Sequence, residues 1–455
     1  MVGAVDKHLA LIGFMGAGKT TLGRELARLT HRPFVDTDEE IEKSFGPIGE
    51  LFERGEPEFR RIEEQVVAEA LAGPTAVIAL GGGAVLSEVT RKRLRRTAYI
   101  AWVTVDVETA WSRVRDSGRP LARDRDQFGA LFEERAAIYD VVAQGTGDDA
   151  DGLLLESLHV IFSSEIACDA AVIADERVAS LYELPIAGPV TLTVHLVPSG
   201  EQAKTPAVIE KLWNGLELGR DGWIVGFGGG STTDVAGFTA ATYLRGLHWV
   251  AVPTTLVGMV DAAIGGKTGI NTEQGKNLAG AFHFPWEIRL DARFLATLPA
   301  EERRAGMAEV VKTGLLAGKE LWTLPEEEMI RACAAFKSAV VISDPYERRG
   351  RRAILNLGHT FGHALEAASG YELRHGDAVA LGLLAALRLS GRPTDVVEEV
   401  LSPEPVRVDR ERAWDALLRD KKGRLRLVLL GDEGGYVTEV PERDVKRALD
   451  ELIAD

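Results

Sequence analysis

Three of the chain's nine histidines fall in one stretch, Asn356 to Asp377, which reads NLGHTFGHALEAASGYELRHGD. Phe361, Ala364, Leu365 and Ala368 recur there at helical spacing until Gly370, so the run reads as a helix with a glycine stop. His359 and His363, four apart, then share one helix face and can meet one ion or one substrate. His375 follows in a Gly/Tyr-containing turn from which it can fold back. A mononuclear metal needs a third or fourth ligand from elsewhere, and an HxxxH pair alone equally suits a polar helix surface; the pattern leaves both open. A second stretch is more specific. Gly13 to Thr20, GFMGAGKT, follows an apolar strand (Leu9 to Phe14) and opens an amphipathic helix running to Leu29, which is GxxxxGK[ST] in its required context. Glycines let backbone N–H groups turn inward around phosphates, Lys19 reaches the β and γ oxygens, and the Thr20 hydroxyl can ligate Mg2+.

The elements after the phosphate loop must say what is phosphorylated. Phe34 to Asp38, FVDTD, ends a second strand with two carboxylates two residues apart, Asp36 and Asp38, leaving on one side of the chain. One suits Mg2+ or its waters and the other a substrate hydroxyl; such a pair also caps helices. Phe59-Arg60-Arg61-Ile-Glu63 sets arginines on a helix, where guanidinium can grip a carboxylate with two bonds. The strand Ala76 to Leu80 ends in Gly81-Gly82-Gly83, where bare backbone admits a small ligand. Gly118-Arg119-Pro120-Leu121 reads as a lid, and Gly145 to Gly152 is the most linker-like run, placing a boundary near residue 160.

Beyond it, strands and helices alternate, the sign of a parallel sheet. The strand Trp223 to Phe227 delivers Gly228-Gly-Gly-Ser-Thr-Thr-Asp234 onto a helix start, a place for a pyrophosphate, though the run also serves as a plain glycine turn. Thr254 and Thr255 end another strand, and Lys267, Lys276 and Asn277 stand in glycine-rich loops. Glu309 lies in a helical AEVVK run and needs a charge partner if it faces inward; that partner suits the missing metal ligand.

At 455 residues the chain exceeds one ordinary core and suggests about three folding units at roughly 150 residues each. Apolar content of 45% and charged content of 27% are those of a globular protein, and a net charge of -16 argues against nucleic-acid or membrane-surface partners. Any anionic substrate must therefore be met by local basic clusters. Two cysteines, Cys168 and Cys333, fit no disulfide or metal framework and agree with a reducing cytoplasm, and no run of about 20 apolar residues crosses a bilayer.

The first unit resembles shikimate kinase: GFMGAGKTT, DTD, FRRIE, GGG after a strand, RPL and R-x-x-x-Y stand in that family's order and spacing. The resemblance implies a P-loop kinase domain over residues 1–160, a parallel sheet with helices on both faces. It implies that Gly16, Gly18, Lys19, Thr20, Thr21 and Arg119 bind ATP, that Thr20 and Asp36 hold Mg2+, and that Asp38, Arg60, Gly81, Gly82, Gly83 and Arg135 hold shikimate, with Lys19, Asp38 and Arg119 catalytic. Two features depart from the family: Ala136-Ala137-Ile138-Tyr139 follows Arg135 where Pro-Leu-Tyr is usual, and the polar Gln144 to Gly152 replaces the expected final strand.

From about Ala171 onward the chain resembles 3-dehydroquinate synthase, through SGEQAK, GGGSTTDVAGFTAATYLRG, VPTTLVGMVDAAIGGKTGIN, GKNLAGAF, AEVVKTG, NLGHTFGHALEA, RHGDAVALG and RDKKGRLRLVLL. This implies a Rossmann-like NAD-binding α/β subdomain over 161–300 and a helical metal- and substrate-binding subdomain over 301–455. Asp175, Glu201, Lys204, Gly230, Ser231, Asp234, Thr254, Thr255, Lys267 and Lys276 fall at NAD+ positions. Glu309, His359 and His375 become ligands of Zn2+ or another divalent ion such as Co2+, which moves His363 from the metal to the substrate. Asp261, Lys267, Lys276, Asn277, Lys312, Lys337, Arg352, Asn356, His363 and Lys421 match the substrate pocket, with Lys267, Lys312, Arg352 and His363 catalytic. The resemblance also implies a homodimer through the synthase part and a bifunctional enzyme of the shikimate pathway. Two rival readings stand beside it, a metal- and NAD-dependent polyol dehydrogenase for residues 160 to 455 and a non-catalytic nucleotide sensor for the first unit. An uncharged polyol has no use for Lys267, Lys276 and Arg352, and a sensor needs only the phosphate loop.

Overall fold

The computed structural model describes residues 3–116, 124–166, 168–183, 190–421 and 425–454. The chain forms two compact units, one of residues 1–160 with 338–345 and one of 161–337 with 346–455. The first is built on a five-stranded parallel sheet in the order Phe34–Asp36, Val77–Ala79, His8–Ile12, Ala98–Val103, Gly145–Gly147. Its central strand is buried along its whole length, as expected of a parallel strand covered on both faces. Ile12, Phe14, Ile78, Leu94, Ile100, Phe128 and Tyr139 fill the core. Because the strands are parallel, the loops after His8–Ile12, Phe34–Asp36 and Val77–Ala79 all leave one edge of the sheet, which brings the phosphate loop, the paired aspartates and the three glycines together.

The polar run expected to be a linker is instead the missing final strand and a helix. Gly145–Gly147 pairs with Ala101–Val103, and Asp149 caps the helix Ala150–Ser157 by accepting a bond from Gly152 N at 2.6 Å. Gly145 leaves room for the neighbouring strand, because a Cβ there would lie 2.2 Å from Tyr99 Oη.

The second unit carries a parallel sheet in the order Glu287–Arg289, His248–Pro253, Trp223–Gly228, Ala170–Asp175, Leu192–Val197, with the two-residue strand Val160–Ile161 at its first edge. Lys267, Lys276 and Asn277, expected in loops, stand on an antiparallel hairpin of Lys267–Thr272 and Gly275–Phe282. Gly269 and Gly280 serve close strand approach: a Cβ at Gly280 would meet Thr268 O at 2.4 Å. Helices follow, among them Ala300–Ala317, His359–Ala368, His375–Leu389 and Arg410–Lys421. His375 is the first residue of its helix, not part of a turn. Among the described residues no helix is long and apolar enough to cross a membrane.

Candidate active sites

In the first unit the chain turns sharply after His8–Ile12, with Gly16 at φ 84° and Gly18 at φ 91°, before the helix Lys19–Thr30. Gly16 admits no side chain, since a Cβ would stand 2.7 Å from the Ala110 carbonyl oxygen. Lys19 Nζ donates to Gly13 O at 2.8 Å and Phe14 O at 3.1 Å, so the ammonium lies over the loop itself. Thr21 is exposed one residue after Thr20. Asp36 uses both oxygens: Oδ1 caps the helix Thr37–Phe45 through Asp38 N and Glu39 N, and Oδ2 accepts from Thr20 Oγ1 at 2.6 Å. The two aspartates thus divide, Asp36 at the strand end with Thr20 and Asp38 on the helix.

A cavity of about 400 Å³ joins these groups, lined by Thr20, Asp36, Asp38, Arg60, Gly81 to Gly83 and Arg135 among others. Glu63 also lines it, though only its motif, not its role, was legible in the sequence. It pairs with Arg60 at 2.7 Å and is buried; burial pushes its carboxyl up, against the pull of Arg60 and with a further push from Asp38. Tyr139 Oη donates to Gly82 O at 2.6 Å and pins the glycine turn. Arg135 is buried, and its Nε has no hydrogen-bond partner among the described residues, leaving a donor for an incoming carboxylate. Arg119 lies outside the described residues.

In the second unit the nucleotide-type loop is closely lined. A Cβ at Gly228 would lie 2.8 Å from Asp175 Cβ, and one at Gly230 2.9 Å from Ala262 Cβ. Asp175 caps the helix Glu176–Leu181 and accepts from Ser199 Oγ at 2.8 Å. Glu201 accepts from Ser231 Oγ at 3.0 Å and Asn271 Nδ2 at 2.7 Å; burial works against its charge, yet Lys204 and these donors hold it below the usual range. Lys204 Nζ meets Asp234 Oδ2 at 2.5 Å and also Asn277 Oδ1, so Asn277, expected in the substrate pocket, bonds a residue of the nucleotide side. Thr255 Oγ1 accepts from Gly258 N at 3.1 Å. Thr254 Oγ1 is buried with no hydrogen-bond partner among the described residues, an open donor beside the glycines that suits a nucleotide.

The helical part assembles the rest. Glu309 Oε1 lies 3.4 Å from His359 Nε2 and 3.3 Å from His375 Nε2, and one ligand atom from each of the three falls within 4.8 Å of the others. Glu309 is 1% exposed; burial opposes its charge, but Lys312 and His359 hold its carboxyl well below the usual range. Burial likewise opposes the His375 imidazolium, yet Glu309 and Glu366 hold it up at about 9. One carboxylate and two imidazoles, Glu309 and His359 buried and His375 half-buried, converge in a way that suits a borderline divalent ion such as Zn2+ or Co2+. His363 is exposed beside this group, its ring centroid 5.5 Å from that of His359 and 6.5 Å from that of His375.

Around the histidines stand the cations. Buried Lys312 reaches Asp261 Oδ2 at 3.3 Å, and buried Lys337 donates to Asp261 O at 2.6 Å and pairs with its carboxylate. Lys267 pairs with Glu347, whose Oε1 is 3.9 Å from Arg352 Nε. Lys276 meets Glu366 at 3.4 Å. Asn356 is exposed at the end of the 3-10 turn Arg351–Asn356, and the Lys421 side chain lies outside the described residues. Glu347 and Glu366 were missed in the sequence. Glu366 was findable, because His359, His363 and Glu366 follow i, i+4, i+7 spacing on one helix face.

A family model described as shikimate kinase matches residues 15–159, one described as 3-dehydroquinate synthase N-terminal matches 194–305, and one described as 3-dehydroquinate synthase C-terminal matches 306–422. The 3-dehydroquinate synthase of Geobacter metallireducens is 40% identical over 319 residues, 62% of this chain and 88% of its own. That of Thermobifida fusca is 45% identical over 271 residues, 52% of this chain and 73% of its own. A crystal structure of 2-deoxy-scyllo-inosose synthase complexed with carbaglucose-6-phosphate, NAD+ and Co2+ is similar at a TM-score of 0.55 and 25% identity, over 64% of this chain and 91% of that one.

Proposed function

Because the chain belongs to the 3-dehydroquinate synthase family and carries a shikimate kinase unit ahead of it, we propose how its residues divide two reactions of aromatic biosynthesis. The first unit phosphorylates shikimate with ATP to shikimate 3-phosphate. The loop N–H groups from Gly16 and Gly18 onward, Lys19 and Thr21 hold the nucleotide phosphates, with Arg119 assigned to the same task. Thr20 and Asp36 would hold Mg2+, which supplies charge neutralisation. Arg60 and Arg135 grip the shikimate carboxylate, with Glu63 fixing Arg60 and Gly81 to Gly83 giving room for the ring. Asp38 accepts the proton of the attacking hydroxyl.

The second unit converts 3-deoxy-D-arabino-heptulosonate 7-phosphate to 3-dehydroquinate and phosphate. When bound, NAD+ supplies a reversible hydride acceptor and a divalent cation acidifies the alcohol that is oxidised. Asp175, Glu201, Lys204, Gly230, Ser231, Asp234, Thr254 and Thr255 would hold the dinucleotide, and Glu309, His359 and His375 the cation. Lys267, Lys276, Lys312, Lys337, Arg352 and Lys421, with Asn277 and Asn356, give a polyanion the positive field that a chain of net charge -16 lacks elsewhere. Asp261 keeps Lys312 and Lys337 in place. His363, exposed next to the ligand pair, carries a hydroxyl proton.

The observation that carries this reading is the Glu309, His359, His375 group lying directly against Lys312. Buried cations beside a metal centre serve an anionic substrate, and the phosphorylated sugar analogue named with the inosose synthase is of that class, so the polyol dehydrogenase reading is set aside. Assaying both reactions, with metal analysis, on one purified preparation tests it. A homodimer through the second unit, supported by Val194 and Leu196 at 48% and 53% exposure on an edge strand, and a cytoplasmic location, supported by two free cysteines, complete the proposal.

A further inference from the structure

Glu366 is a buried carboxylate to which no role above is given. Its two oxygens part company. Oε2 stands 3.6 Å from His375 Nδ1, within ion-pair range, and Oε1 stands 3.4 Å from Lys276 Nζ. The other ring nitrogen of His375, Nε2, faces Glu309 inside the ligand group. The imidazole is thus held between two carboxylates, one on each nitrogen. A carboxylate on the outer nitrogen keeps the proton there, leaves the lone pair on the inner nitrogen for an ion, and raises its basicity. Lys276 makes the arrangement tolerable, because its ammonium offsets a charge that burial would otherwise penalise, while resting 4.4 Å from the Tyr371 ring centroid.

We propose that Glu366 is a positioning residue: it fixes His375 as an Nε2 ligand and ties that ligand, through its second oxygen, to the anion-binding lysine Lys276. This rests on reading Glu309, His359 and His375 as the metal centre. In the full-length chain, Zn2+ affinity is measured by chelator competition for wild type and Glu366→Gln, which keeps the shape and removes the charge. The variant is expected to bind Zn2+ about ten- to a hundredfold more weakly. Circular dichroism and NAD+ binding of the metal-free proteins show whether the unit is folded. A second readout, nitrogen and proton NMR of histidine-labelled, Zn2+-loaded wild type and Glu366→Gln, is expected to show Zn2+ on His375 Nε2 in wild type and a His375 Nδ1–H resonance that shifts when the carboxylate becomes an amide, which a carboxylate not bonded to that nitrogen would not produce. Unchanged affinity in folded Glu366→Gln within about twofold, or Zn2+ on Nδ1, overturns the proposal while leaving the metal centre standing. Wild type that binds no Zn2+ overturns the metal centre and this inference together.

Discussion

Glu309 is an acid in a helix core, tolerable there only because Lys312 and two imidazoles surround it. Removing a ligand should therefore differ from removing a neighbour. His375→Ala is expected to lose most of the bound metal, whereas His363→Ala keeps it and turns over slowly; metal analysis showing the reverse would void the ligand assignment. Glu63 behaves otherwise, since burial raises its carboxyl pKa despite Arg60. A raised folded value means that its contribution to stability is fully present below the unfolded value of about 4.3 and is lost as pH rises through the folded one. Glu63→Gln, which cannot titrate, should gain stability relative to wild type as pH rises through that window, followed by denaturant unfolding. A stability difference that is flat with pH contradicts this.

At the scale of elements, the helices His359–Ala368 and His375–Leu389 meet because one lacks side chains where the other passes. A Cβ at Gly382 would stand 2.0 Å from the Gly358 carbonyl oxygen, and backbone cannot give way as a flexible side chain does. Gly382→Ala should separate the helices, costing about 1–3 kcal/mol and lowering metal occupancy together. Thermal melting and metal analysis check this, and wild-type values in both would refute the close-packing argument. The first helix was legible from its 3.6-residue period and glycine stop. The proposed ligand set was not legible from spacing, which inside one helix suggests His363; the family resemblance named Glu309, and packing brings it in from a helix about fifty residues earlier. The strand Gly145–Gly147 escaped for a similar reason: the glycine at 145 answers Tyr99 on the neighbouring strand, which no local pattern records.

At the scale of the molecule, each unit has its own parallel sheet and its own set of polar groups, and 3-dehydroquinate, the product proposed for the second, is not the shikimate proposed as substrate for the first. Lys19→Ala should therefore abolish kinase turnover and leave the synthase within about twofold, as independent sites do. Parallel loss of both activities would show the units to be coupled. The order of the two units and the α/β character of both were readable from motif order alone; which cations answer which carboxylates was not, because Glu347 sits in no quoted motif and Glu366, though inside NLGHTFGHALEA, meets a lysine on a hairpin some ninety residues earlier. The function proposed for the second site requires that hydride leave the substrate and return to it, so that NAD+ would be regenerated within each turnover. The most direct measurement supplies the full chain with 3-deoxy-D-arabino-heptulosonate 7-phosphate and far less NAD+ than substrate, following phosphate and NADH absorbance together. Phosphate in large excess over total NAD+, with no lasting NADH, is the expected result; NADH accumulating in proportion to substrate consumed, or turnover of simple polyols without phosphate release, contradicts it.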